Sequence, residues 1–280
     1  RIDDCRRRMD VSPLGAGALA GTSLPLDPDS TAEALGFAAR FENSLDATSD
    51  RDFVAEALFV LATTGLHLSR MGEEVVLWTT DEFGFAILDD AYATGSSMLP
   101  QKKNPDIAEL ARGKAGRLVG NLAGFLTTMK SLPLAYNRDL QEDKEPLFDS
   151  LDTVRLGLGA LSGLYRTLRF DTERMGVAAS SPFAAATDLA ELLVRDGMPF
   201  RDAHAVVGAL VRRALDDGTP LVELVRGEPA LGERGAALVE GGASAVHRTS
   251  PGGGGPGPVA VQRRRLGERI AEARSRRAAG

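Results

Sequence analysis

The chain has few of the side chains that build disulfide bonds and metal sites. Its 280 residues include one cysteine, Cys5, and three histidines. A single cysteine cannot form an internal disulfide, and the sequence has no Cys/His cluster with the spacing of a metal site. These absences predict a protein without a bound metal and fit the reducing environment of the cytoplasm.

A basic excess and long apolar runs are missing as well. The formal net charge is −6 and the isoelectric point is about 5.3, which argues against nucleic acid as the main partner. No uninterrupted apolar run reaches the ~18–20 residues that a membrane-spanning helix needs. We therefore expect neither a nucleic-acid partner nor a membrane partner.

Alternating strand patterns are almost absent, whereas helical periodicity is strong. Small or apolar residues recur at steps of three and four in three long segments, 50–78, 110–129 and 147–168. Segments of this length predict a bundle of nearly parallel or antiparallel helices. Shorter helices are predicted after residue 181. The expected fold is all-α, with a central bundle domain over 1–178 and a small helical domain over 179–280.

Glycine recurs every four residues in the second long segment, at Gly116, Gly120 and Gly124. Glycine inside a helix is unfavourable by roughly 0.5–1 kcal/mol relative to alanine. One interpretation is a stripe where two helix backbones approach closely, as in interlocking subunits. The other is the Gly/Ala bias of a GC-rich coding sequence, and the pattern does not decide between them.

The most informative segment is the loop 95–105, Gly-Ser-Ser-Met-Leu-Pro-Gln-Lys-Lys-Asn-Pro. It places two hydroxyls, two ammonium groups and two carboxamides between Gly95, which permits unusual backbone angles, and Pro105, which stiffens the path. Hydroxyls can exchange protons, and lysines donate charge-assisted hydrogen bonds to anions. A loop that closes over a carboxylate-bearing substrate needs this mixture, although a lysine-containing surface loop is the alternative.

Two further polar groups stand near predicted helix starts. Arg51 lies in a first helical turn, where a cation opposes the helix dipole, so a carboxylate-binding role competes with a structural one. Glu109 begins the helix after the loop and is either a routine helix-start acid or the partner of a histidine.

The cluster 136–145, Tyr-Asn-Arg-Asp-Leu-Gln-Glu-Asp-Lys-Glu, is either solvated surface or the wall of a pocket.

The loop resembles the signature loop of the fumarase/aspartase superfamily, Gly-Ser-Ser-x-Met-Pro-x-Lys-x-Asn, with Leu99 where that pattern has Met. Within the superfamily, the chain is similar to argininosuccinate lyases in five segments. These are the loop itself, 13–21, 49–52 (Ser-Asp-Arg-Asp), 132–145 and 199–204 (Pro-Phe-Arg-Asp-Ala-His). The resemblance covers nearly the whole chain and thins after residue 218.

The resemblance implies an enzyme that cleaves argininosuccinate to fumarate and L-arginine by β-elimination, without a metal or a cofactor. It implies a homotetramer whose active sites are shared between subunits. It also implies that Ser96 is the catalytic base and that Glu109 pairs with a catalytic histidine. The implied substrate-binding residues are Ser97, a group on the fumarate side (Lys102, Asn104 and Arg51) and a group on the arginine side (Tyr136, Gln141 and Lys144).

The Thr-His-x-Gln motif that supplies the family's histidine is missing from this sequence. We therefore expect that the family's N-terminal domain is not part of this chain and that the chain alone is inactive. Two alternatives remain open at this point. One is another lyase of the superfamily, such as adenylosuccinate lyase or fumarase. The other is a non-catalytic structural protein on the same fold, as in some lens crystallins.

Overall fold

The computed structural model describes residues 1–95, 97–99, 102–240 and 244–279. The chain divides into two compact units, Arg1–Phe170 and Asp171–Gly280. Helices dominate both units, which confirms the predicted all-α fold. The domain boundary predicted between residues 178 and 179 falls in the last turn of the helix Thr172–Ala179 and stays a prediction.

The first unit contains three long helices and several short elements. Its helices are α1 (Ile2–Arg8), α2 (Pro28–Leu35), α3 (Ser44–Ser49), α4 (Asp52–Trp78), α5 (Asp106–Met129) and α6 (Lys144–Thr167). Two-residue strands pair as β1 (Val11–Ser12) with β2 (Ala39–Arg40), β3 (Ala86–Ile87) with β6 (Arg169–Phe170), and β4 (Thr94–Gly95) with β5 (Lys103–Asn104). The first pair is parallel and the other two are antiparallel.

The three long helices form the bundle that the periodicity predicted. Leu58 near the start of α4 packs against Phe125 near the end of α5, so these two helices run antiparallel. Leu61 packs with Val154, and Leu68 packs with Leu161, so α4 and α6 run in the same direction. The beginning of α6 therefore lies beside the beginning of α4, while the beginning of α5 lies beside the end of α4.

Glycines of α4 allow close packing against α5, by a side chain at Gly65 and by the backbone at Gly72. A Cβ atom on Gly65 would lie 2.3 Å from Cδ1 of Leu118, and one on Gly72 would lie 2.4 Å from the carbonyl oxygen of Ala108. The stripe of α5 behaves differently, because added Cβ atoms at 116, 120 and 124 would meet nothing within 4 Å among the described residues. Within one chain, the predicted close approach is therefore absent at these three positions.

Helix α4 is long and apolar enough to cross a membrane by length and composition, a test that core helices of water-soluble proteins also pass. Its buried residues include Val54, Leu58 and Val75. These side chains pack within the bundle and its adjoining loops, so part of the apolar surface of α4 is covered within the chain.

The second unit is built from shorter helices around its own core. They are α7 (Thr172–Ala179), α8 (Ala186–Arg195), α9 (Phe200–Asp217), α10 (Leu221–Arg226), α11 (Gly232–Glu240) and α12 (Pro256–Ala279). Leu189, Leu193 and Val225 are almost completely buried in this core. The predicted helix from 200 to about 215 is confirmed, and Gly218 ends it in the left-handed conformation (φ 70°).

Candidate active site

A cleft of about 470 Å³ lies in the first unit, between the segment before α6 and the start of α4. Its lining residues are Arg51, Tyr136, Asn137, Leu140, Gln141 and Lys144. Four of the residues that the sequence nominated for substrate binding, Arg51, Tyr136, Gln141 and Lys144, therefore line one cavity. The cluster 136–145 forms the wall of a pocket, as one of its two interpretations proposed.

The local conformation explains which side chains of this cluster share a face. Residues Arg138–Asp143 form a 3₁₀-helix, in which side chains three residues apart are eclipsed. Leu140 and Asp143 therefore lie on one side and are buried, while Gln141 and Lys144 form the neighbouring exposed row. Asn137 holds the turn before this helix, because its Nδ2 donates to the carbonyl oxygens of Pro133 (2.9 Å) and Ala135 (3.0 Å).

A buried carboxylate joins the two cations of the cleft. Asp143 is only 6% exposed. Its Oδ2 accepts a hydrogen bond from Nε of Arg51 (2.9 Å), and its Oδ1 accepts one from Nζ of Lys144 (2.7 Å). Asp143 is the N-cap residue of α6, but its side chain makes no capping hydrogen bond. It pairs instead with a residue from the start of α4.

The signature loop is closed at its neck by the pairing of β4 with β5. Thr94 is opposite Asn104 and Gly95 is opposite Lys103. The side chain of Lys103 forms an ion pair with Asp90, and this hydrogen bond lowers the pKa of the Asp90 carboxyl. Ser96, the predicted base, lies outside the described residues.

The other predicted residues of the loop region are placed as follows. Ser97 and Lys102 are exposed, and Asn104 is half-buried in β5. Glu109 is exposed at the start of α5, one residue beyond Ala108. All three histidines are exposed, and among the described residues none forms a hydrogen bond or ion pair with Glu109.

The two groups of predicted site residues stand at opposite ends of the bundle. Arg51 immediately precedes α4, whereas Ala108, beside Glu109, contacts Gly72 near the end of that helix. At 1.5 Å per residue, the helix between Asp52 and Gly72 is roughly 30 Å long. One copy of this chain therefore does not bring Lys102 and Asn104 to the cleft that contains Arg51 and Lys144.

Sequence reasoning missed Asp143 and Asn137 as parts of the site. Asp143 stood among four acids in seven residues, which is also typical of solvated surface. The signal that distinguishes it is the three-residue spacing to Leu140, which becomes informative only if the segment is a 3₁₀-helix. In the described part of the chain, no group of three or more His, Cys, Asp or Glu residues could hold a metal ion.

Comparison with known proteins places the chain in a family. A model described as lyase matches residues 1–120, and one described as argininosuccinate lyase C-terminal matches residues 183–228. The chain is 57% identical over 269 residues to the argininosuccinate lyase of Mycobacteroides abscessus and 53% identical over 284 residues to that of Leifsonia xyli. The chain belongs to the argininosuccinate lyase family.

The extent of the match matters for what the family implies. The two alignments cover 94% and 99% of this chain but 57% and 59% of the relatives. An alignment with the argininosuccinate lyase of Frankia casuarinae, 65% identical, covers 75% of this chain and 46% of the relative. The chain thus spans about half the length of the argininosuccinate lyases that it matches.

A solved structure shows the same architecture. The crystal structure of EDDS lyase in complex with formate superposes with a TM-score of 0.85 at 33% sequence identity. This superposition covers 99% of the present chain and 57% of that protein. Both units of the chain thus have counterparts in an experimentally determined lyase.

Proposed function

We propose that this chain supplies the signature loop and one binding cleft of an enzyme that cleaves argininosuccinate to fumarate and L-arginine. The observation that carries the proposal is the convergence of Arg51, Tyr136, Gln141 and Lys144 on one cleft, in a chain that also contains the signature loop. The similarity to argininosuccinate lyases supports this reaction, and the cations of the cleft suit a substrate with several carboxylates.

The reaction is a β-elimination. A base removes a proton from a carbon next to a carboxylate, the electron pair forms the carbon–carbon double bond of fumarate, and the bond to the guanidinium nitrogen breaks. The intermediate carries a second negative charge on the carboxylate group, so fixed cations and dipoles lower its free energy. We assign the base to Ser96, the fumarate carboxylates to Ser97, Lys102 and Asn104, and the arginine half to Tyr136, Gln141 and Lys144.

The separation of the two groups of residues supports an active site assembled from more than one copy. A site that needs both ends of a bundle is complete only where the loop end of one copy meets the cleft end of another. The exposed apolar side chains of the long helices, among them Leu110 (58%), Phe148 (58%) and Leu156 (70%), provide surface for such an assembly. We propose a cytoplasmic homotetramer with shared sites.

Arg51 has two possible places in this scheme. The resemblance assigns it to the fumarate side, whereas in one chain it lines the cleft with the residues assigned to the arginine half. In an assembled site both assignments are compatible if the substrate spans the cleft and the loop of the neighbouring copy. Glu109 keeps its proposed role as the partner of a histidine from outside this sequence, so this chain alone is expected to be inactive.

The experiment uses the protein produced from its complete reading frame. Purified protein is incubated with argininosuccinate, adenylosuccinate or malate, and fumarate is followed by its ultraviolet absorbance. We expect fumarate from argininosuccinate alone, and Ser96→Ala should abolish turnover while sparing substrate binding. Fumarate from another substrate would assign the protein to a different lyase, and binding without any turnover would favour a structural protein on this fold.

A further inference from the structure

The buried carboxylate behind the cleft has no role in the mechanism described above. We propose that Asp143 is a positioning residue that holds Arg51 and Lys144 as a pair for one carboxylate group of the ligand. This inference deepens the proposed function, because it specifies how the cleft would recognise the arginine half of the substrate. It rests on three features of the site: the contacts of Asp143, the donors that remain on its two partners, and the chemistry of the lining.

The contacts divide the carboxylate evenly between the two cations. Each oxygen of Asp143 accepts one hydrogen bond, Oδ2 from Arg51 and Oδ1 from Lys144. Since both oxygens belong to one rigid group, the separation of the two cations is fixed by a side chain that is itself almost completely buried. Lys144 is exposed, and without such a partner its flexible side chain would sample many rotamers.

The guanidinium of Arg51 is held from two sides. Its Nη1 donates to the carbonyl oxygens of Asp50 (2.6 Å) and Thr48 (3.3 Å), while Nε donates to Asp143. Among the described residues, the Nη2 group has no protein acceptor, although the side chain lines the cleft. Lys144 likewise uses one of its three N–H groups on Asp143. Donors for a ligand anion therefore remain on both cations.

The lining also defines the charge of the group that the cleft takes. Its charged members are Arg51 and Lys144, and in the part of the chain that the structure describes Asp143 is the one carboxylate paired with them, so the three groups together carry one net positive charge. Both oxygens of that carboxylate are already engaged with the two cations. The site is therefore suited to a carboxylate of the ligand, with neutral donors from Tyr136 and Gln141 beside it, rather than to a guanidinium group.

A purely structural role makes a different prediction. If Asp143 only ties the start of α6 to the start of α4, its loss should lower stability without changing ligand affinity. If its negative charge merely opposes an anionic ligand, its loss should strengthen binding. If Asp143 positions the two cations, its loss should weaken ligand binding. Two mutually repelling cations that have lost their common partner no longer present their donors together.

The test uses the protein from its complete reading frame, with kinetics on argininosuccinate and calorimetric binding of L-arginine. L-arginine without fumarate is not turned over, so its Kd can be measured even if the protein proves not to be a lyase. For Asp143→Asn, we expect KM for argininosuccinate and Kd for L-arginine to rise by about 10- to 100-fold, with kcat changed less. Asp143→Glu keeps the charge but displaces it, and should give a smaller rise in both constants.

The matched control is Asp188→Asn in the second unit. Asp188 is 4% exposed, and its Oδ1 lies 3.0 Å from Nη2 of Arg248, an ion-pair contact without hydrogen-bond alignment. This substitution removes a comparably buried carboxylate from an arginine, and it should leave KM and Kd within about twofold of the wild-type values.

Each outcome bears on the inference. A wild-type or tighter Kd for L-arginine in Asp143→Asn overturns it, even if the melting temperature falls. If Asp143→Asn does not fold, a wild-type Kd in Asp143→Glu overturns it instead. Wild-type protein that binds L-arginine but releases no fumarate refutes the lyase assignment alone, whereas wild-type protein that does not bind L-arginine refutes the inference.

Discussion

Gly72 of α4 lies against the backbone of Ala108 in α5, and a Cβ atom at Gly72 would stand 2.4 Å from the carbonyl oxygen of Ala108. The neighbouring atom belongs to a helix backbone, so it cannot move aside as the end of a flexible side chain could. This contact fixes how closely the two helices approach beside the start of α5, immediately after the signature loop.

We predict that Gly72→Ala destabilises the protein by about 1–3 kcal/mol, the usual effect of forcing an extra methyl group into a packed contact. Alanine has the better helix propensity by about 1 kcal/mol, so propensity alone would raise the free energy of unfolding. A fall in that free energy therefore shows that the packing effect is the larger one. Urea unfolding followed by circular dichroism measures it. Gly113→Ala in α5 is the control, because its Cβ would meet nothing within 4 Å among the described residues, and it should not destabilise.

The acid dependence of stability should depend on Asp149. Burial tends to raise the pKa of this carboxyl, but hydrogen bonds from Asn121 and Arg117 outweigh it, and the pKa is lowered. A lowered pKa means that the folded state binds the proton less readily than the unfolded state. Its stabilising contribution is therefore complete above the ordinary carboxyl pKa of about 3.9 and is lost as the pH falls through the folded value.

The corresponding measurement compares wild-type protein with Asp149→Asn. The difference in their free energies of unfolding should be constant near pH 6 and should shrink below about pH 4. Asp152→Asn, an exposed position on the same helix, controls for the general effect of removing a negative charge. A difference that is the same at pH 3 and pH 6 would contradict the prediction.

The thiol of Cys5 should be unreactive in the folded protein. Cys5 is 4% exposed in α1, and burial raises the pKa of its thiol. Because the thiolate is the reactive species, a disulfide exchange reagent should modify Cys5 at least about tenfold more slowly in native protein than in denaturant. Equal rates in the two conditions would show that α1 does not cover this side chain in solution.

A mixing experiment tests whether the two ends of the bundle serve one site in different copies. Lys102→Ala damages the loop end and Lys144→Ala damages the cleft end, so each variant alone should lose most of its activity. Co-expression should recover up to about a quarter of wild-type activity, because random assembly pairs one intact loop with one intact cleft in that fraction of sites. Co-expressed variants that stay as inactive as the separate ones would argue for sites within single chains.

The long helices could be predicted because their signal is periodic and extended. Leu58, Leu61 and Leu68 recur at helical spacing, and the predicted segment 50–78 differs from the observed α4 by two residues at its start. The two-residue strands could not be predicted, since two residues cannot show an alternating pattern. The neck of the signature loop was therefore invisible in the sequence, although the loop was its clearest motif.

The candidate site was only partly predictable for a related reason. Arg51 and Lys144 were predicted to bind substrate from their chemistry and from the resemblance. Neither argument shows which of the predicted residues lie next to each other in the folded chain. Asp143 was overlooked because its partner Arg51 lies 92 positions away in the chain. The helix directions that bring them together depend on packing among α4, α5 and α6, which no local pattern encodes.

The same long-range contact has a consequence for how the protein folds. The chain between Arg51 and Asp143 includes α4 and α5, so the contact between these two residues joins positions that are 92 apart in the sequence. Contacts between distant residues form late because a large loop must close first, at a cost in chain entropy. The cleft therefore forms against a larger loss of chain entropy than contacts between neighbouring residues require.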